Sequence, residues 1–172
     1  MDRMSGSMEN QNMSGKASPQ IQLLIDILDQ AYDRKAWHGP NLKGAIRGLS
    51  EAEAGWRPAE GRHNIWEIAV HAAYWKYVVR RRLTGEKRGS FPVRGSNWFV
   101  RPAAGQNSWN DDIRLLEQAH RALRDAILAI PDQVLVQTPA GSKVSNAAMI
   151  YGISSHDLYH AGQIQLLKRL QE

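Results

Sequence analysis

The sequence predicts an all-α protein, an up-down four-helix bundle with long inter-helix loops. Three observations carry this. Apolar residues recur at i, i+3, i+4 through four long segments, capping residues and Pro or Gly punctuate the ends of those segments, and no stretch alternates apolar and polar as a half-buried strand does.

The first helix is expected over Ser18–Arg34. Ser18 can cap it, Pro19 suits the first turn, and Ile21, Leu24, Ile25, Leu28 and Tyr32 form one apolar stripe. His38-Gly39-Pro40 breaks the pattern, and Pro40 can open a short helix carrying Leu42, Ile46 and Leu49. Ser50 with Glu53 reads as a capping box for one further turn that ends before Pro58. The second long helix starts at Asn64, paired with Glu67 in a capping-box-like spacing, and runs to about Leu83 with Gly85 as its stop. Residues 84–107 are rich in Gly, Pro and Arg, carry Phe91, Trp98 and Phe99, and show no period. Loops of that length inside a compact domain tend to be functional covers or disordered segments.

The third long helix is expected from about Ser108–Asn110 to Ile130, with Ile113, Leu116, Ala119, Leu123 and Ile127 facing inward. A loop over Asp132–Lys143, containing Pro139-Ala140-Gly141, is read as a short hairpin. The fourth long helix begins at Ser145 and continues almost to Glu172. Residues 1–17, rich in Met, Ser, Gly and Asn, read as a disordered arm, and 18–172 as a single domain.

The totals exclude several classes of function. No run approaches the ~18 apolar residues that cross a bilayer, and the N-terminus lacks the apolar core of a secretory signal. The absence of cysteine removes disulfides, thiolate ligands and cysteine nucleophiles together, and makes the cytoplasm the expected location. The net charge is +5, with Arg80, Arg81, Arg82, Lys87 and Arg88 clustered near a helix end. They read more simply as solvated cations complementing the helix C-terminus than as phosphate contacts, because no recognition helix or aromatic-interleaved motif accompanies them. Nucleic acid is therefore not the expected partner.

Six histidines stand at 38, 63, 71, 120, 156 and 160. His156 and His160 are four apart, so at about 100° per residue they lie some 40° apart on a helix. They share that arc with Met149, Ile153, Ile164 and Leu167, and so face the apolar seam. His71 lies within about 60° of Ile68, Trp75 and Val78 and faces inward likewise. One inward histidine is more often a hydrogen-bonded core residue, but three buried imidazoles each need partners for their polar nitrogens. A single divalent ion held by His71, His156 and His160 satisfies all three and leaves positions open for water or substrate. Zinc is the expected ion, with nickel, iron, copper and manganese as alternatives. The stretch His156-Asp157-Leu158-Tyr159-His160 departs from the zinc-protease pattern by placing Asp where Glu is needed, and only 12 residues follow it, so the third ligand is expected upstream.

Glu67, one turn before His71, is a candidate hydrogen-bond acceptor, general base or fourth ligand, against the simpler reading of a first-turn carboxylate. Gln163, one turn beyond His160, and Asp157 are candidates to orient an imidazole, and His38 to line the site. His63 and His120 read as non-ligands. Trp56, Trp66 and Trp75 read as core or interface residues.

At these residues the sequence resembles a known family. The stretch Asn64-Ile65-Trp66-Glu67-Ile68-Ala69-Val70-His71-Ala72-Ala73-Tyr74-Trp75 is similar to the second helix of the DinB/YfiT-like superfamily. His156-Asp157-Leu158-Tyr159-His160-Ala161-Gly162-Gln163-Ile164 resembles its last-helix signature, and Trp56-Arg57-Pro58 precedes the second helix as it does in that family. The resemblance implies a four-helix bundle, usually homodimeric, with a three-histidine metal site carried over to His71, His156 and His160. Some members resemble thiol-dependent S-transferases that use a low-molecular-weight thiol, others metal-dependent hydrolases. The expected function is thus a metal-dependent transferase or hydrolase acting on a small molecule. The competing reading is a non-enzymatic stress-response protein that binds metal or ligand.

Overall fold

A computed structural model describes residues 17–102 and 108–172. The reading of residues 1–17 as a disordered arm falls, but for Ala17, outside the described residues, as do positions 103–107 of the long loop. Described regular structure is entirely helical: α1 (Pro19–Tyr32), α2 (Leu42–Ile46), α3 (Glu51–Gly55), α4 (Ile65–Thr84), α5 (Trp109–Ala129) and α6 (Asn146–Arg169), with a 3-10 turn at Asp132–Val134. No described helix is long and apolar enough to cross a membrane.

Side-chain caps set most helix starts. Ser18, Asn41, Ser50, Asn64, Ser108 and Ser145 each accept a hydrogen bond from the backbone N–H three residues on, satisfying donors that have no partner within the helix. The Ser50–Glu53 box closes in both directions, as does a second box between Ser108 and Asp111. The Asn64–Glu67 pair closes in one direction only, since the Glu67 carboxylate turns away to Arg57 and His63. α4 ends where expected, on Gly85 with φ +72, a left-handed residue that only glycine adopts without steric cost.

Three expectations need correction. α2 begins at Leu42, capped by Asn41, and closes at Ile46, leaving Leu49 outside it. The loop before α6 is not a hairpin. After the 3-10 turn the chain folds back so that Leu135 and Gln137 carbonyls accept from Ala147 and Asn146, which satisfies the first N–H groups of α6 in place of a strand ladder. On α5 the inward face is rotated toward Asp112 and His120, which are buried, while Ile113 and Ala119 are half-buried. Both buried polar residues have partners: Asp112 accepts from Trp66 Nε1 (2.8 Å) and pairs with Arg101, and the His120 ring stacks on Tyr32 at 3.9 Å.

α4 packs along α5 and against α6, and α1 lies against α6 and α5. The core divides into two groups. One surrounds Ile65, Trp66, Ala69, Leu116 and Ile164, and the other joins Ile25, Leu28, Leu123, Ile127 and Ile150. α4 is buried on almost every face, because α5, α6, α3 and the irregular strap over residues 85–102 all lie against it. The strap anchors on Phe99 (4% exposed) and on Arg101, whose backbone carbonyl accepts from Asn64 Nδ2 at 2.6 Å. This arrangement holds residues 96–98 over the α4–α6 seam.

Candidate metal centre

α4 contributes His71 and α6 contributes His156 and His160, one helical turn apart. Their Nε2 atoms converge. His156 Nε2 lies 3.1 Å from His71 Nε2 and 3.1 Å from His160 Nε2, and ligand atoms of all three fall within 4.8 Å of one another. With metal–nitrogen bonds of about 2.0–2.1 Å, tetrahedral coordination separates neighbouring nitrogens by about 3.3 Å, so the spacing suits a shared ion.

The outer nitrogens decide the tautomers. His71 Nδ1 donates to the Asn97 carbonyl at 2.8 Å, and His160 Nδ1 donates to Gln163 Oε1 at 2.7 Å. Gln163 Nε2 in turn donates to the Tyr159 hydroxyl, which orients the amide. Both histidines therefore present a lone pair at Nε2 when neutral. His156 sits between these lone pairs with a buried Nδ1 that has no partner. A neutral His156 can give a hydrogen to one neighbour at most, so at least one pair of nitrogens meets lone pair to lone pair. A cation at the point of convergence removes that conflict, and the three-histidine set fits a divalent ion. Burial also keeps the rings unprotonated. His71 is pushed down to about 4 and His156 to about 3, in each case chiefly by burial, and His160 is lowered by burial against the opposing bond to Gln163.

The strap closes the centre. Asn97 adopts φ +65, a left-handed conformation that asparagine tolerates better than most residues, and this aims its carbonyl at His71. Its side-chain Oδ1 accepts from Trp75 Nε1 at 2.9 Å. The next residue, Trp98, lies face to face with His71 at 3.9 Å on one side and with His63 at 3.6 Å on the other. The indole is thus sandwiched between two imidazoles.

Glu67 is not in the convergent set. Its buried carboxylate accepts from Arg57 (2.6 and 3.1 Å), from His63 Nδ1 (2.8 Å) and from the Arg101 backbone N–H (3.3 Å), so its oxygens are committed away from the ion position. The carboxyl is held below the usual range: burial raises it, but the bonds from Arg57 and His63 outweigh that. Asp157 does not orient an imidazole. One residue along the helix from His156, it turns about 100° away and pairs with Lys76, both side chains wholly buried. His38 occupies an exposed turn between α1 and α2 and is not in the convergent set.

An apolar cavity of about 530 Å³ opens beside the centre. His160 and Gln163 form one part of its wall, His63 and Trp98 another, and Leu166 and Leu170 extend it.

Sequence reasoning passed over His63, Asn97, Trp98 and Lys76. His63 carried a usable signal, its i, i+4 spacing to Glu67, and so did Lys76, an isolated charge inside the apolar run Tyr74–Val79. Asn97 and Trp98 lie in a stretch without period, where only the tolerance of asparagine for left-handed backbone hints at a role.

No curated protein matches the chain. The model of the DinB superfamily matches residues 35–164, from just after α1 to within the last turns of α6 and across all three convergent histidines, and the chain belongs to the DinB superfamily.

Proposed function

We propose that this protein is a metal-dependent enzyme that activates a thiol or water against a small, largely apolar substrate held in the cavity beside His160. The observation that carries the reading is the convergence of three imidazole nitrogens at the edge of that cavity. A divalent ion held by His71, His156 and His160 supplies a Lewis acid that lowers the pKa of a thiol or water and leaves coordination positions for it. Zinc suits this ligand set.

The chain's own residues supply proton handling and positioning. His63 lines the same cavity, and Glu67 accepts from its Nδ1, which leaves Nε2 as the unprotonated, basic nitrogen of the neutral ring. We assign His63 as the proton acceptor and Glu67 as the residue that orients it, in the manner of a carboxylate–imidazole pair. This replaces Glu67 itself as the base, since its oxygens are already occupied. Trp98 holds His63 and His71 in parallel planes, so acceptor and ligand keep a fixed separation. The aliphatic wall from Leu166 to Leu170 favours an apolar substrate body and excludes water around the reacting atoms.

The test uses protein purified without a histidine tag. Metal content is measured by mass spectrometry, then turnover is followed with cysteine plus a chloronitroaromatic electrophile and, separately, with a nitrophenyl ester. One ion per chain and acceleration of either reaction are expected, both lost in His160→Ala. A His160→Ala protein with full activity refutes the reading. A protein that keeps its ion but accelerates neither reaction is instead a metal- or ligand-binding stress-response module.

A further inference from the structure

A second cavity, of about 450 Å³, lies on the other side of Trp75 and Asn97 from the three histidines. Its walls come from the last turns of α4, the strap and the loop before α6, and it is lined by Arg81, Arg82 and Arg88 with Tyr77 and Asn97. Among the described residues no carboxylate lines it. Among the described residues none of these three arginines has a carboxylate within ion-pair distance, since the nearby Glu86 side chain is taken by Arg80 at 2.5 Å. Among the described residues the Arg81 side chain donates to the Glu86 backbone carbonyl (3.2 Å), and that of Arg82 to the Met149 sulfur at 4.0 Å. Arg81 and Arg82 are half-buried, so they are less screened than free surface charges.

Cations at a helix C-terminus offset its dipole, which amounts to about half an elementary charge. Three guanidinium groups exceed that, so a net positive field remains in the concavity. We infer that this cavity is a binding site for a small dianion carrying carboxylate or phosphate groups, held by Arg81, Arg82 and Arg88. Guanidinium forks match both groups bidentately, and the cavity has the volume of a small-molecule site. Its concave shape, walled by the 140–141 loop, suits a small molecule better than the backbone of a duplex. The site shares Asn97 and Trp75 with the support of His71, which places its ligand one layer of side chains from the metal centre. The inference stands independently of the metal reading.

Isothermal titration of the full chain with succinate and with inorganic phosphate, at constant ionic strength, tests it. The titration is run on the protein as purified and again after chelator treatment. Saturable binding of succinate, phosphate or both is expected in both preparations, and which of them binds assigns the ligand group. Arg81→Gln/Arg88→Gln should weaken binding about tenfold or more, and Arg88→Glu, at an exposed loop position where folding is not at risk, should abolish it. Arg114→Gln, which removes an arginine paired with Asp111 on α5, should leave it unchanged. No saturable binding, binding confined to the metal-loaded protein, or equal loss in Arg114→Gln overturns the inference. So does a short DNA duplex that displaces succinate from these arginines.

Discussion

Lys76→Met should be among the most destabilising single changes in the chain, and its effect should grow as pH rises. Lys76 and Asp157 are both 0% exposed and pair with each other across the α4–α6 interface. Asp157 meets Lys76 through Oδ2, its Oδ1 has no hydrogen-bond partner among the described residues, and the Lys76 ammonium lies 4.9 Å from the centre of the Tyr32 ring. Removing the ammonium leaves a buried carboxylate with nothing to offset it, a change that costs about 3–5 kcal/mol. For a domain of this size that lowers Tm by roughly 6–20 °C. Burial already pushes the Asp157 carboxyl up to about 6, against the opposing pull of Lys76, and losing Lys76 raises it further. A carboxyl whose folded value exceeds its unfolded value of about 3.8 favours the fold while protonated, and that contribution is lost as pH rises through the folded value. The Tm deficit should therefore be larger at pH 8 than at pH 5.5, read by differential scanning calorimetry on metal-stripped protein. Lys76→Met/Asp157→Leu should recover most of the loss, because an apolar pair of similar volume avoids the desolvation of both charges. A single variant that melts like the parent at pH 8, or a double variant that melts below the single, would refute the reasoning.

Further expectations concern the centre itself. Asn97→Ala should weaken metal binding about tenfold, because alanine resists the left-handed backbone that aims the carbonyl at His71, whereas Asn97→Gly keeps that backbone and should spare it; competition with a chromogenic chelator separates the two, and equal behaviour removes the strap from the argument. Glu67→Gln should cost about 2 kcal/mol through weakened bonds to Arg57 and His63, and lower turnover while leaving one ion per chain; loss of the ion would instead make Glu67 a ligand. Metal-stripped protein should lose stability as pH falls from about 6.5 toward 4. His71, His156 and His120 are lowered to about 4, 3 and 2, chiefly by burial, so the unfolded chain takes up protons first. Each contributes up to about 1.4 kcal/mol per pH unit in that window, and a flat Tm between pH 7.5 and 5 would contradict their burial as neutral rings.

Much of the framework was legible because its determinants are local. Capping pairs such as Ser50–Glu53 and the stop at Gly85 are encoded within a few residues, and helical period alone placed His71, His156 and His160 on inward faces. Their convergence required tertiary packing, which the sequence conveys only through the likeness of two separated motifs. What escaped was long-range and directional. The face of α5 was rotated because Asp112 and His120 are buried against partners on α4, the strap and α1, and an apolar-stripe criterion discounts both. Glu67 could be placed beside His71, yet its commitment to Arg57, His63 and the strap depends on a carboxylate fork that spacing does not reveal. Asp157 followed the same logic in reverse. Its neighbour on the chain is a histidine, but its neighbour in space is a lysine on another helix.

These directional contacts share a purpose that apolar packing cannot serve. Burial of Ile, Leu and Ala surfaces holds α4 against its neighbours but tolerates small slips of register, because the attraction is nearly independent of direction. Three ligands on two helices do not tolerate such slips: an ångström of sliding between α4 and α6 would move His71 out of a common coordination sphere. Polar pairs pin α4 along its length, with Glu67 to Arg57 near its start, Trp66 to Asp112, which itself pairs with Arg101 of the strap, and Lys76 to Asp157 about one and a half turns beyond His71. Of these, Lys76–Asp157 joins the two ligand-bearing helices directly. The Lys76→Met/Asp157→Leu variant isolates its role, since it should regain melting temperature without regaining full metal affinity. Full recovery of both would mean that apolar packing alone sets the register, and that the buried ion pair is dispensable to the centre.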